Sequence, residues 1–161
     1  MSPNHEAMCN IVQRRVDNWR GHKTFAWAGE CGIFADYVFH EARAKGLAVQ
    51  LDSFDDDLDC WSSVTTPPGV TIPQLRELGL SLNHVWVVLD GRHYDAASPA
   101  GVANPLDLLC ARLSFVEELR DRHPALLASL TSQFEWWQVA EAAEREYQAI
   151  FDTRDEQYEE N

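Results

Sequence analysis

The sequence predicts an α+β domain, on three observations. Apolar residues at helical spacing occupy both ends of the 161-residue chain. Asp90-Gly91 stands between two apolar, β-branched runs as a two-residue hairpin turn. Leu47-Ala48-Val49-Gln50-Leu51 supplies one further strand-like run. A small antiparallel sheet built from the hairpin and the strand near Leu47 is expected, with helices from both ends completing the core. The length suits one domain, read as residues 1–151, followed by an acidic, flexible tail over 152–161.

In chain order, Ser2-Pro3 opens a helix, and Met8, Ile11, Val12, Val16 and Trp19 carry it over residues 4–20, with Gly21 as the stop. A loop follows, in which Phe25 and Trp27 either cover a cleft or cap the core. From Cys31 to Lys45, Ile33, Phe34, Tyr37, Val38 and Ala42 mark a second helix ended by Gly46. After the strand at 47–51, Asp55, Asp57 and Asp59 alternate as in a calcium loop. Cys60 stands where that loop needs its glycine, and Thr66 where it needs a glutamate, so a solvated acidic loop is the better reading. Pro73–Leu78 is a short helix. Leu82–Leu89 and Arg92–Ala96 form the hairpin, Ser98-Pro99-Ala100-Gly101 a loop, and 105–110 a helical turn. Ser114-x-x-Glu117 and Ser132-x-x-Glu135 read as capping boxes, the first opening a short helix broken at His123-Pro124, the second a long final helix.

Composition narrows the function. A formal charge of −13 repels phosphate backbones, which argues against nucleic acid and anionic membranes as partners and suits a basic protein. No apolar run approaches the roughly 18 residues of a membrane span, and the first residues lack a secretory signal, so a cytoplasmic location is expected. The four cysteines are scattered without a C-x-x-C pair, so neither a metal site nor a disulfide framework is expected. Cys9 and Cys110 read as buried structural thiols.

Chemistry concentrates at Cys31 and the hairpin. A thiol at a helix N-terminus is shifted toward thiolate by the dipole and by free backbone N–H groups, and Gly29 and Gly32 leave room beside it. A cysteine between two glycines is also a common structural feature. With Asp90-Gly91 as the turn, Val87 pairs with Tyr94, Trp86 with Asp95, and His84 lies opposite Ala97. His84, Trp86, Val88, His93 and Asp95 then share one face. His84 and Asp95 are diagonal neighbours roughly 7 Å apart, near enough for a carboxylate to orient an imidazole. His93 is a rival base nearer the turn. His5, His22, His40 and His123 have no evident partners.

These residues carry a family resemblance. Cys31-Gly32-Ile33-Phe34-Ala35-Asp36-Tyr37, then His84-Val85-Trp86-Val87-Val88, then Tyr94-Asp95-Ala96 resembles the papain-like superfamily, and within it the transglutaminase-like branch. The resemblance covers about residues 25–98. It implies a cysteine-headed helix packed on an antiparallel sheet, with Cys31 as nucleophile, His84 as base and acid, and Asp95 as the orienting group. Phe25 occupies the place of the glutamine that helps form the oxyanion hole in papain-like proteases. The donor then falls to Trp27 or the Cys31 N–H, with Gly29, Gly32 and Trp86 lining the substrate cleft. The expected activity is cysteine-dependent hydrolysis or acyl transfer on an amide, isopeptide or thioester of a protein or peptide, without a cofactor. The alternative is an inactive acidic binding or inhibitor protein on the same fold, engaging a basic protein.

Overall fold

A computed structural model describes residues 1–19, 30–53, 66–78 and 84–159, with side chains described as far as Ala149 except Cys110. The expected stop at Gly21, the Phe25–Gly29 stretch and Asp55–Cys60 lie outside the described residues.

Helix α1 (Pro3–Asp17) begins where Ser2 accepts the His5 N–H at 3.2 Å and Pro3 takes the first position, which needs no donor. It buries Met8, Ile11 and Val12 and ends at Asn18. Helix α2 (Cys31–Ala44) buries Phe34, Ala35, Val38 and Ala42. Strand β1 (Gln50–Ser53) follows, then α3 (Ile72–Leu78), β2 (Val85–Leu89), β3 (Arg92–Asp95) and β4 (Ser98–Val102). A 3-10 turn (Pro105–Asp107) leads into α4 (Leu109–Arg122), α5 (Pro124–Gln133) and α6 (Glu135–Glu159). The fold is therefore α+β: six α-helices among the described residues and a four-stranded antiparallel sheet in the order β1-β2-β3-β4. No helix among the described residues is long and apolar enough to cross a membrane.

Several boundaries differ from those the sequence suggests. The expected strand at 47–51 moves three residues on, to Gln50–Ser53. Gln50 pairs with Val88 and Ser53 with Val85, so in the same register Ala48 would oppose Asp90, where β2 has already turned. Leu47 and Val49 instead pack into the core. The loop expected at 98–101 is the edge strand β4, where Pro99 is tolerated because an edge position need not donate to the ladder. Neither expected capping box forms. Ser114 lies inside α4, which starts at Leu109 directly after the 3-10 turn. Ser132 lies in the last turn of α5 and donates to the Ser129 carbonyl at 2.8 Å, while extended Phe134 makes the break before α6. A reciprocal cap forms at Thr71-x-x-Gln74 instead: the Thr71 N–H donates to Gln74 Oε1 at 2.8 Å and the Gln74 N–H to Thr71 Oγ1 at 3.4 Å. Helix α6 continues through residues 152–159, where the sequence suggested an irregular tail. The break at His123-Pro124 stands as expected.

The sheet separates two apolar clusters. Val87, Leu89 and Tyr94 pack with α1 and α2. Trp86 and Val88 pack with α3 to α6, around Leu75, Leu106, Phe115, Leu119 and Trp137. This alternation along β2 follows from the two-residue period of a strand covered on both faces.

At the α4–α6 interface Arg120 donates to Glu144, whose residue is only 2% exposed. Removing the guanidinium leaves a buried carboxylate without its cation. Arg120→Met is expected to lower stability by about 3 kcal/mol, read from the urea unfolding midpoint. Arg145→Met breaks the exposed pair with Glu141 and is expected to change stability by less than about 0.5 kcal/mol.

Candidate active site

The hairpin turn sets the site. Asp90 and Gly91 both have positive φ, 49° and 75°, as a type I′ turn requires. Leu89 then pairs with Arg92, Val88 with His93 and Val87 with Tyr94. An irregularity interrupts the ladder between β3 and β4 and leaves the β2–β3 register intact. His84, immediately before β2, therefore reaches Asp95 at the end of β3.

His84 Nε2 and Asp95 Oδ2 are 2.9 Å apart, and each side chain is 2% exposed. Asp95 Oδ1 accepts the Ala97 N–H at 3.0 Å, so both carboxylate oxygens are bonded. With Nε2 turned to the carboxylate, Nδ1 is the ring nitrogen left for the thiol.

Cys31 is the first residue of α2 and a free thiol. Cys31 and the His84 ring lie close enough for each to shift the other's ionisation. Burial pushes the thiol up, but the His84 hydrogen bond, the His84 charge and the backbone N–H groups of Val85 and Gly32 outweigh it, and its pKa falls below the ordinary value. Burial pushes His84 down, yet hydrogen bonds to Asp95 and Cys31 and the charges of both raise it to about 9. Both shifts favour a thiolate beside an imidazolium.

The helix start adds a donor. Glu30 is the N-cap residue but makes no side-chain capping bond. The Phe34 N–H is satisfied by the Glu30 carbonyl at 3.0 Å, whereas the Cys31 N–H has no helical acceptor behind it. A first-turn N–H of this kind can donate to an oxyanion on a carbonyl attacked by the sulfur. Among the described residues, a Cβ on Gly32 would meet nothing within 4 Å. Trp27 and Gly29 fall outside the described residues.

Trp86 is buried at 2% exposure. Its ring stacks on His84, with centroids 6.0 Å apart and planes at 22°, and its Nε1 donates to His93 Nδ1 at 2.9 Å. Trp86 thus backs the base, where the sequence suggested a cleft wall. His93 is the indole's acceptor. Burial lowers its pKa, against an opposing charge from Asp52, and a neutral ring is what accepting at Nδ1 demands. His93 is therefore engaged with Trp86, and His84 is the histidine that meets the thiol.

Two histidines without evident partners in the sequence have them in the structure. His5 Nδ1 is 2.5 Å from the Tyr94 hydroxyl, and its Nε2 is 3.7 Å from Cys9 Sγ. His40 lies 3.3 Å from Asp36. The four-residue spacing of His5–Cys9 and of Asp36–His40 was the readable signal for both pairs. Cys9 is half-buried beside His5, so it is not the enclosed apolar thiol the sequence suggested. Among the described residues, no three His, Cys, Asp or Glu side chains are grouped to hold a metal ion.

No family model, curated protein or solved structure matches this chain.

Proposed function

We propose that the protein is a cysteine-dependent hydrolase or acyl-transfer enzyme acting on a protein or peptide, with Cys31 as nucleophile, His84 as base and acid, and Asp95 as the orienting group. The observation that carries this reading is the buried His84–Asp95 pair, 2.9 Å apart, with the Cys31 thiol close enough that its pKa is lowered by His84 and the imidazole's is raised. A cysteine-headed helix over an antiparallel sheet, with the histidine just before one strand and the aspartate at the end of the next, also supports a papain-like, transglutaminase-like core.

In the reaction the Cys31 thiolate adds to an amide, isopeptide or thioester carbonyl. The oxyanion that forms accepts the Cys31 N–H. The His84 imidazolium protonates the departing amine or thiol as the C–N or C–S bond breaks, leaving an acyl-enzyme. Neutral His84 then takes a proton from water or an incoming amine, which attacks the thioester and releases the sulfur. Asp95 keeps the ring oriented throughout and balances its positive charge.

Reactivity tests the proposal without a known substrate. With limiting iodoacetamide at pH 7, Cys31 is expected to alkylate about 100-fold faster than the other three cysteines of the native protein, followed by peptide mass spectrometry. A thiol-directed acylating probe is expected to label the wild type and not Cys31→Ala. Labelling of Cys31 no faster than Cys9 would reject the enzyme and leave a binding protein on the same fold.

A further inference from the structure

The bond to Asp95 does not by itself fix the plane of the His84 ring. It sets the direction of Nε2. Rotation about that bond still carries Nδ1 through an arc, and only part of the arc faces the thiol. A contact on the face of the ring stops the rotation, and Trp86 makes one. Its indole lies near parallel to the imidazole, at 22° with centroids 6.0 Å apart. The two residues are two positions apart, so their side chains leave the chain on the same side.

The indole needs an anchor of its own. Tryptophan's outer torsion is broad and roughly two-fold, so packing alone selects the ring's orientation weakly. Trp86 sits in one cluster with Leu75, Leu106 and Phe115, apolar side chains without a polar acceptor. A buried N–H must find its acceptor within the fold. His93 supplies it, with Nε1 and Nδ1 2.9 Å apart. Val88 pairs with His93 across β2 and β3, which makes Trp86 and His93 diagonal neighbours on one face, within reach of two aromatic rings. Burial holds His93 toward its neutral form against the charge of Asp52 on β1. The anchor therefore adds no second anion beside the imidazole, whose charge is left to Asp95.

We propose that His93 is a positioning residue for His84: by accepting the Trp86 N–H it selects the indole orientation that lies against the imidazole, and so aims Nδ1 at the Cys31 sulfur. The proposal rests on the reading of Cys31 as nucleophile and His84 as base, and it adds to that site a residue outside the Cys31–His84–Asp95 set. His93 acts through Trp86 alone, so its effect vanishes when the indole N–H is gone.

The test compares variants of the intact protein. His93→Leu removes the acceptor. His93→Asn keeps one, because Asn carries Oδ1 on Cγ where His carries Nδ1. The second-order rate of Cys31 alkylation by iodoacetamide at pH 7 is expected to fall about tenfold in His93→Leu and to return to within about twofold of the wild type in His93→Asn. The ring-current shift that Trp86 imposes on the His84 ring protons is expected to shrink and return in parallel, followed by NMR. In a Trp86→Phe background, His93→Leu is expected to change neither reading further. An unchanged rate in His93→Leu, an Asn variant as slow as the Leu variant, or a full His93→Leu effect in Trp86→Phe would overturn the proposal. Nitrogen NMR of the wild type tests it without any variant that must fold. His93 is expected with its proton on Nε2 and the Trp86 N–H protected from exchange, and a proton on His93 Nδ1 would overturn it. An unreactive Cys31 in a protein whose His84 shift still follows His93 would reject the nucleophile and keep the hold on the ring. A reactive Cys31 indifferent to His93 would do the reverse.

Discussion

Asp95→Ala is expected to lower turnover by about 10²- to 10⁴-fold and to raise the pH at which Cys31 ionises. The carboxylate is what keeps a buried imidazole charged. Burial alone pushes His84 down, and the hydrogen bond and charge of Asp95 are among the causes that lift it to about 9. Without them the ring is neutral at pH 7, the thiol loses its cationic neighbour, and thiolate absorbance at 240 nm appears at higher pH. Asp95→Asn keeps one oxygen to accept from the ring, gives up the acceptor of the Ala97 N–H and removes the charge, so its loss is expected to be smaller than that of Asp95→Ala. The difference between the two variants separates orientation from charge. In the wild type, alkylation needs only the thiolate and stays high above pH 9. Acyl transfer also needs the imidazolium, so its rate is expected to fall as pH rises through about 9.

The same shift couples pH to folding. His84 is raised above its usual 6.5, so its contribution to stability is fully present below pH 6.5 and is lost as pH rises through about 9. Urea unfolding of the wild type at pH 6 and pH 9.5 is expected to show that loss. In Asp95→Ala the same comparison is expected to be flatter.

Gly101→Ala is expected to destabilise the protein by about 3 kcal/mol, from backbone strain and overpacking together. Gly101 has φ +71°, and a Cβ there would lie 2.6, 2.8 and 2.9 Å from three atoms of the Tyr94 ring. That ring has little room to move: Tyr94 is 1% exposed and its hydroxyl is bonded to His5. The Gly101 carbonyl also accepts from Arg92 Nη2 at 2.7 Å, which holds β4 against the hairpin. Gly46 isolates the backbone contribution. Its φ is +80° but a Cβ there meets nothing within 4 Å, so Gly46→Ala is expected to cost only about 1 kcal/mol. Thermal or urea unfolding of the two variants checks the contrast. Because Tyr94 precedes Asp95, Gly101→Ala is also expected to slow Cys31 alkylation.

Local patterns in the sequence decide the structure where a short-range cause dominates. Pro124 cannot continue a helix, and the break at His123 follows. Ser2 and Pro3 open α1 because they satisfy or remove donors within one turn. The same patterns misled where a neighbouring element competed. Ser114 and Ser132 have the spacing of caps, but burial of Leu108, Ala111 and Phe115 starts α4 earlier, and α5 runs past Ser132. Leu47 and Val49 have the composition of a strand and contribute it to the core, because β2 has turned away before it can pair with them.

The candidate site divides along the same line. The sequence by itself determined the pairing of His84 with Asp95. Asp90 and Gly91 take positive φ at a two-residue turn, the strand period is two, and the register that results is local. Only the tertiary structure decided that Cys31 meets His84, that Trp86 backs the base, and that His93 is occupied by Trp86. No spacing in the chain encodes the approach of α2. It follows from Phe34, Ala35 and Val38 packing in one cluster with Val87 and Leu89, and burial of apolar surface is non-directional until whole elements have been brought together.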